Sequence, residues 1–321
     1  MGNSELQPIT SWAPIVGRWT IENGTVTYDG PEEGAANPFG ICLSNARFNE
    51  GEIRVKVELS TNGDVGRVLF GYSPQNGSYW TAGLGGYERA YVLSEFDSHG
   101  WRPTSVLGSR ANLIPNKAYE VETKLFGQRV YLAVDSVRVI EYVLEKPMTS
   151  DQVGVFAWGE GKVKFADLAV SPVPGKAFVV MKFSEPYKQL YSEVIKPVAR
   201  EFNLEAYHVG EVYVPGLILN DIVQGIVEAK VVIAEVTPSN ENVFYELGYG
   251  HALSKPTILL AERGKQPPFD VAGYRHVFYD NTIGGKKEIT EGLRKHLASI
   301  MHEEWNQGRL TSDDQQLVTE N

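Results

Sequence analysis

The chain has 321 residues, with 30 Lys and Arg against 40 Asp and Glu, and its formal net charge is −10. Since a domain takes roughly 150 residues, this length predicts two domains. The negative charge argues against a nucleic-acid polymer as partner, because such binding depends on basic side chains that neutralise phosphates. A small nucleotide remains compatible with it, since a few backbone N–H groups can hold one phosphate.

The composition of individual segments excludes further classes of protein. No apolar run approaches the ~20 residues that cross a bilayer, so we expect no membrane association. The first residues lack the basic and apolar regions of a signal peptide, which predicts a cytoplasmic protein. Cys42 is the single cysteine, so a disulfide within the chain and a cysteine-based metal site are ruled out. We expect no metal.

The first half of the chain has the pattern of β-strands. Residues 52–59 place Ile53, Val55, Val57 and Leu59 on one face and charged side chains on the other, which is the period of a half-buried strand. Residues 129–142 and 154–170 are similar, and glycine-rich turns separate such runs. Many short antiparallel strands predict an all-β jelly-roll sandwich over residues 1–172.

Four segments of this half stand out: residues 17–21, 51–57, 153–159 and 163–167. In their order they resemble the concanavalin-A-like (laminin-G-like) jelly rolls. The resemblance implies a domain for sensing, binding or oligomerisation, with a glycan or a protein as ligand. Several aromatic side chains could form a platform for sugar rings or could instead belong to the core. They are Tyr79, Trp80, Tyr87, Trp101 and Trp158, with His99 nearby.

A linker over residues 171–176, with two prolines and a glycine, marks the domain boundary. Strand and helix patterns alternate after it. We predict strands at 177–183, 205–209, 230–236, 257–261 and 276–279, and helices at 187–202 (kinked at Pro197), 216–229, 241–254 and 289–300. This alternation predicts an α/β domain over residues 173–303 with a flavodoxin-like open parallel five-stranded sheet. Residues 304–321 form a polar tail.

Open parallel sheets bind ligands at the carboxyl ends of the central strands. With strand order 2-1-3-4-5, these are the first and third strands of the domain. Asn242 and Glu246 are four residues apart on the following helix and share a face, and the helix dipole favours ionised Glu246. Glu246 is the candidate catalytic residue, and the candidate substrate-binding residues are Met181, Phe183, Ser184, Tyr187, Glu235, Thr237, Asn240, Asn242 and Tyr245.

A family resemblance is carried by residues 232–237 and 240–256, together with 178–183, Pro268 to Asp270 and Arg275. These segments resemble the nucleoside 2-deoxyribosyltransferase-like group, which is related to bacterial TIR-like NAD-cleaving domains. The resemblance implies catalysis by Glu246 and a homo-oligomer whose neighbours complete the site. Glu235 stands where that group usually has Asp. Asn240 replaces an Asp of the deoxyribosyltransferases proper, which argues against deoxyribosyl transfer more than against N-glycosidic chemistry in general.

We therefore predict an N-glycosidic-bond-cleaving enzyme, either a hydrolase or a glycosyltransferase, that acts on a nucleoside, a nucleotide or NAD. Glu246 would be the nucleophile or would stabilise an oxocarbenium ion. No cofactor is expected, and NAD is a candidate substrate, with nucleotide depletion in bacterial defence as one context. Two alternatives stay open: a non-catalytic nucleotide-sensing module coupled to the jelly roll, and a carbohydrate-binding protein with a degenerate α/β domain.

Overall fold

A computed structural model describes residues 6–148, 150–211 and 218–306. Its first part is an antiparallel β-sandwich whose strands follow the predicted period of two: Ile53, Val55, Val57 and Leu59 are all buried. The strands are β1 (Gln7–Pro8), β2 (Trp12–Val16), β3 (Trp19–Glu22), β4 (Thr25–Tyr28), β5 (Phe39–Arg47), β6 (Gly51–Leu59), β7 (Val65–Tyr72), β8 (Tyr79–Leu84), β9 (Arg89–Asp97), β10 (Gly100–Ser109), β11 (Ala118–Phe126), β12 (Arg129–Val134), β13 (Val137–Val143), β14 (Gln152–Trp158) and β15 (Val163–Pro172).

Two sheets form the sandwich. One has eight strands in the order β13-β12-β11-β6-β15-β4-β3, with β1 paired to β15, and the other has seven in the order β10-β9-β8-β7-β14-β5-β2. The main core lies between them and includes Val55 and Val57 from one sheet and Val68 and Phe70 from the other. A second, smaller apolar cluster includes Val65 and Leu69. Because side chains alternate along β7, this cluster lies on the outer face of the seven-stranded sheet.

The second part is an α/β domain with a parallel sheet. Its strands are β16 (Gly175–Val180), β17 (Leu204–Tyr207), β18 (Ala229–Glu235), β19 (Thr257–Glu262) and β20 (His276–Tyr279), in the order β17-β16-β18-β19-β20. Its helices are α1 (Tyr187–Leu190), α2 (Lys196–Glu201), α3 (Ile218–Glu228), α4 (Glu241–Ala252), α5 (Phe269–Ala272) and α6 (Ile283–Asn306). This is the flavodoxin-like order 2-1-3-4-5, and the predicted fold class is confirmed for both parts.

The helices form two layers on the parallel sheet. Ala177 and Val179 of β16 face the layer of α1, α2 and α6, whereas Phe178 and Val180 face α3 and α4. The predicted kink at Pro197 is a π-helical turn over Tyr191–Ile195, between α1 and α2. Proline lacks the N–H that continues an α-helical ladder, which accounts for the irregular turn before it. α6 begins six residues earlier than the predicted helix at 289–300.

The turn between β11 and β12 joins the two parts. Gln128 N donates to the Val227 carbonyl (3.0 Å), and Gln128 Nε2 donates to the carbonyls of Leu144 (2.9 Å) and Leu253 (3.2 Å). Val227 lies in the last turn of α3, and Leu253 directly follows α4. The sandwich therefore contacts the edge at which β18 begins, opposite to the edge at which a parallel sheet binds ligands.

The end of β15 and the start of β16 are separated by residues 173 and 174 alone, within the predicted linker. Most of the predicted polar tail, 304–321, lies outside the described residues, as do residues 216 and 217 of the helix predicted at 216–229. None of the helices in the described ranges is both long and apolar enough to cross a membrane.

Candidate functional site

The carboxyl edge of the parallel sheet brings β16 and β18 side by side, with the α4 helix starting just beyond β18. Asn240 is the N-cap of α4, since its Oδ1 accepts a hydrogen bond from the backbone N of Asn242 at 3.0 Å. This satisfies one of the free N–H groups of the first turn. The cap places the first two turns of α4 next to the central strands, where the fold predicts a ligand.

Glu246 lies in the second turn of α4 and is buried, with 8% of its surface exposed. It shares the buried face of the helix with Val243, Leu247 and Gly250. A Cβ atom added to Gly250 would lie 3.3 Å from the Val232 side chain of β18, so this face packs on the sheet. The Glu246 side chain therefore lies on the face of α4 that packs on the sheet, one turn closer to the carboxyl edge than Gly250.

Burial raises the pKa of Glu246 to about 7, and within the described residues neither a charge nor a hydrogen bond contributes to that shift. Removal from water disfavours the charged form of a carboxyl group. The predicted preference of the helix dipole for ionised Glu246, about 0.3–1 kcal/mol, is smaller than the opposite effect of desolvation. Glu246 titrates near neutrality, which is the range that suits acid–base and nucleophilic work.

Glu235, the last residue of β18, is buried and accepts hydrogen bonds from the loop that follows this strand. Its Oε1 accepts hydrogen bonds from the backbone N (2.8 Å) and the Oγ1 (2.6 Å) of Thr237. Thr237 Oγ1 also accepts from the backbone N of Glu262 at 2.7 Å. Both predicted ligand-binding residues therefore have structural partners that connect the ends of β18 and β19.

The second oxygen of Glu235, Oε2, has no hydrogen-bond partner of acceptable geometry within the described residues. Burial raises the pKa of Glu235 to about 7. The nearby Tyr279 hydroxyl has the opposite, smaller effect and lowers that pKa. Burial also raises the pKa of Tyr279 and of Tyr187. These two phenols line a cavity of about 500 Å³ beside the ends of β20 and α1, and the role of Tyr187 in ligand binding stays a prediction.

The loop after β16 is organised by a histidine for which the sequence indicates no partner. Phe183 stacks on the ring of His208, with centroids 4.4 Å apart and planes at 14°. His208 Nδ1 accepts from the backbone N of Gly210 at 2.8 Å, and Nε2 lies 3.3 Å from the carbonyl oxygen of Met181. Since Nδ1 accepts, the ring proton is on Nε2 and donates to Met181. His208 thus holds both predicted residues in place.

The other predicted residues differ in exposure. The Met181 side chain is buried in the core on the α1, α2 and α6 side. Ser184 is half-buried and is not the cap of α1, whose N-cap residue is Pro186. Asn242 is exposed, and so is Tyr245 at 55%. Asn242 and Glu246 therefore lie in different environments although they are four residues apart.

The candidate residues consequently form two groups. Glu246 belongs to the layer of α3 and α4, whereas Met181 and Tyr187 pack in the opposite layer with Phe183 against it. His208 and Tyr279 were not among the predicted site residues: His208 contacts Phe183 and Met181, and Tyr279 lies near Glu235. His208 directly follows β17 and Tyr279 ends β20, so the rule that selected the loops of β16 and β18 could have included them. Across residues 6–148, 150–211 and 218–306, no cluster of three or more His, Cys, Asp or Glu is placed to hold a metal.

No protein-family model matches the chain, and no curated protein is significantly similar to it. Among solved structures, a carbohydrate-binding module from Bacillus subtilis is 15% identical and covers 50% of this chain and 96% of its own, with a TM-score of 0.43. A β-glucanase from Bacillus licheniformis is 11% identical, covers 52% and 97%, and has a TM-score of 0.38. A CMP N-glycosidase from Clostridium botulinum is 18% identical, covers 38% and 98%, and has a TM-score of 0.31. Similarity at this distance assigns no ligand and no reaction to the chain.

Proposed function

We propose that the protein cleaves the N-glycosidic bond of a nucleoside, a nucleotide or NAD, with Glu246 as the catalytic residue of the α/β domain. The observation that carries this proposal is the burial of Glu246, without a described partner, at the carboxyl edge of the sheet. An unpaired buried carboxyl group costs stability, and a group of this kind in a ligand-binding position is a candidate functional residue.

The chemistry requires few groups. As the bond from C1′ to the base nitrogen breaks, its electron pair leaves with the base and positive charge develops on the sugar. The Glu246 carboxylate stabilises that charge or bonds to C1′ to give a glycosyl ester. Water or a second base then bonds to C1′ and loses one proton, and the carboxylate is released. The proton goes to the departed base or, when nicotinamide leaves as a neutral molecule, to solvent. A negative charge in a site shielded from water acts more strongly on such a cation than one in solvent.

The substrate class is supported by the sequence around Glu246 and by an aromatic side chain on the same helix. Residues 240–256 resemble the nucleoside 2-deoxyribosyltransferase-like group, in which the corresponding glutamate carries catalysis. Tyr245, which is exposed, offers an aromatic face to a base. In this proposal the reaction uses no cofactor, and NAD is a candidate substrate. The assembly of the chain into a homo-oligomer stays a prediction.

The test is product formation by the wild type and by Glu246→Gln. Each protein is incubated with NAD and with a panel of nucleosides and nucleoside monophosphates, and free base or nicotinamide is measured by chromatography. We expect Glu246→Gln to lose at least ~10²-fold in rate, the low end for a positioned catalytic group. Glu241→Gln is the matched control, because Glu241 is exposed on the same helix, and it should keep the wild-type rate.

Equal rates for Glu246→Gln and the wild type would remove Glu246 from the mechanism. Calorimetric binding of a nucleotide by the wild type without turnover of any substrate would replace the enzymatic proposal with the nucleotide-sensing module. Far-ultraviolet circular dichroism of each variant confirms that a lost rate does not reflect a lost fold.

A further inference from the structure

The outer face of the seven-stranded sheet carries a cluster of apolar side chains, although no second sheet or helix layer of the described sandwich covers it. Leu69, Tyr79 and Phe156 are buried on this face, and Phe39 and Phe96 pack against them. An antiparallel sheet with one face on the core normally presents a polar outer face. Contiguous apolar surface outside the core is typical of ligand-binding grooves and interaction sites.

A cavity of about 330 Å³ opens beside this cluster, at the ends of β7, β14 and the β8–β9 turn. Three aromatic side chains that line it are partly exposed: Tyr87 (44%), Trp101 (38%) and Trp158 (43%). Trp101 is held in position by edge contact with Phe156, whose ring centroid is 4.9 Å away at an interplanar angle of 61°. An indole ring held in this way at an open cavity provides a face for stacking a flat ligand ring.

The floor of the cavity contains Arg67, which is 2% exposed. Its Nε donates to the Gly85 carbonyl at 3.1 Å, its Nη1 donates to Ser94 Oγ at 2.8 Å, and its Nη2 also donates to Gly85. These contacts and a longer one from Nη1 to Thr81 (3.4 Å) account for four of the five guanidinium N–H groups. One N–H of Nη2 is left for a ligand.

The space around Nη2 of Arg67 depends on Gly86. A Cβ atom at Gly86 would lie 2.1 Å from Nη2 of Arg67, and Gly86 has a φ of +100°. Any other residue would both strain the backbone and occupy the place beside the guanidinium group. The β8–β9 turn therefore needs glycine at this position to leave room for the Arg67 guanidinium group at the cavity.

Within residues 6–148, 150–211 and 218–306, no carboxylate pairs with Arg67, and burial lowers the pKa of its guanidinium group. Its hydrogen-bond partners are neutral, and the ring of Tyr87 lies 5.7 Å from the guanidinium carbon. The acidic side chain that lines the cavity, Glu88, is paired with Arg110 at 3.0 Å on the rim. A buried, uncompensated cation raises the cost of an empty site and favours a ligand with a negative charge.

We propose that this cleft binds a small ligand that stacks a ring on Trp101 and Trp158 and directs one anionic group to Arg67. A cavity of about 330 Å³ is at the lower end of small-molecule sites, so the ligand has one or two rings. A sugar ring with a carboxylate and a nucleoside monophosphate both have this chemistry. The site is separate from that of Glu246, since it lies in the other part of the chain.

The experiment is calorimetric titration of the full chain with two matched pairs, glucuronate against glucose and uridine monophosphate against uridine. We expect one anionic member to bind at least about tenfold more tightly than its neutral counterpart, the difference that a charge-assisted hydrogen bond supplies. Which pair shows the difference identifies the source of the anion. If both neutral members bind as tightly as the anionic ones, or nothing binds, the proposal is overturned.

Trp158→Ala assigns the binding to this cleft, because the side chain is partly exposed and its loss leaves the core intact. We expect about tenfold weaker affinity, as stacked rings lose on truncation of their aromatic partner. Phe269→Ala is the matched control, since Phe269 is 92% exposed in the α/β domain, and it should bind like the wild type. Unchanged affinity in Trp158→Ala would place the ligand elsewhere and overturn the proposal.

Arg67→Met removes the charge itself and should abolish the preference for the anionic member while the neutral member still binds. If this variant does not fold, the salt dependence of wild-type binding replaces it. Affinity for the anionic ligand should fall as salt rises, whereas affinity for the neutral ligand should not. An equal response of both ligands to salt would contradict the role of Arg67.

Discussion

Replacement of the buried Glu246 carboxyl group by an amide should stabilise the protein, and the gain should depend on pH. Burial raises the pKa of Glu246 from 4.5 to about 7. One pKa unit corresponds to 1.36 kcal/mol, so ionised Glu246 opposes folding by about 3 kcal/mol. The Glu246→Gln variant keeps the shape of the side chain and removes the charge, and it should therefore regain this free energy.

The pH window follows from the direction of the shift. The folded protein holds the Glu246 proton to a higher pH than the unfolded chain, so its contribution is most favourable below pH 4.5 and is lost as the pH rises through 7. The advantage of Glu246→Gln should be about 1 kcal/mol at pH 5 and about 3 kcal/mol at pH 8. Other buried acids, such as Glu235, affect both proteins alike and cancel in the difference.

Urea unfolding followed by circular dichroism at 222 nm is the suitable assay, because the α-helices of the described chain lie in the α/β domain. Glu241→Gln serves as the control. Glu241 is exposed in the first turn of α4, where a carboxylate is favourable, so its loss should destabilise slightly. A stability difference between Glu246→Gln and the wild type that is the same at pH 5 and pH 8 would refute the assigned burial of the charge.

If Glu246 acts as nucleophile or cation stabiliser, kcat/KM should rise with pH through about 7, because the ionised form is required; a fall over that range would make it a general acid. Thr237→Val should cost about 2–3 kcal/mol, since it removes one of the two hydrogen bonds to Glu235 Oε1 and takes the hydroxyl partner from the backbone N of Glu262. Urea unfolding checks this, and Thr237→Ser should restore most of the loss. Gly127→Ala should lower the melting temperature more than Gly24→Ala. Both glycines have positive φ, but only at Gly127 would a Cβ meet backbone, 2.5 Å from Glu228; equal losses would show that this close approach between the two parts is unimportant.

The period of the apolar residues was enough to predict the fold class. Strand β20 has the predicted bounds, His276–Tyr279, and β18 starts and ends within one residue of prediction. The reason is that burial on one or both faces imposes a local repeat that any sequence window displays. The strand order 2-1-3-4-5 is that of flavodoxin-like folds in general, and the structure has it.

The state of each site residue was decided by segments that are distant in sequence. Asn242 and Glu246 look equivalent on a helical wheel, yet only Glu246 is covered by the sheet, and desolvation by that cover sets its pKa. The partners of Glu235 and His208 depend on how loops fold back, which no period encodes.

The sequence of the sandwich determined which residues alternate, but not that one outer face would be apolar. Alternation shows that Arg67 and Leu69 share a face of β7, and it does not say which other strands of the sheet lie beside them. Only the tertiary structure places the aromatic rings of β10 and β14 beside Arg67. Local pattern thus specifies secondary structure, whereas burial and charge at a site are sums over contacts that the assembled fold alone defines.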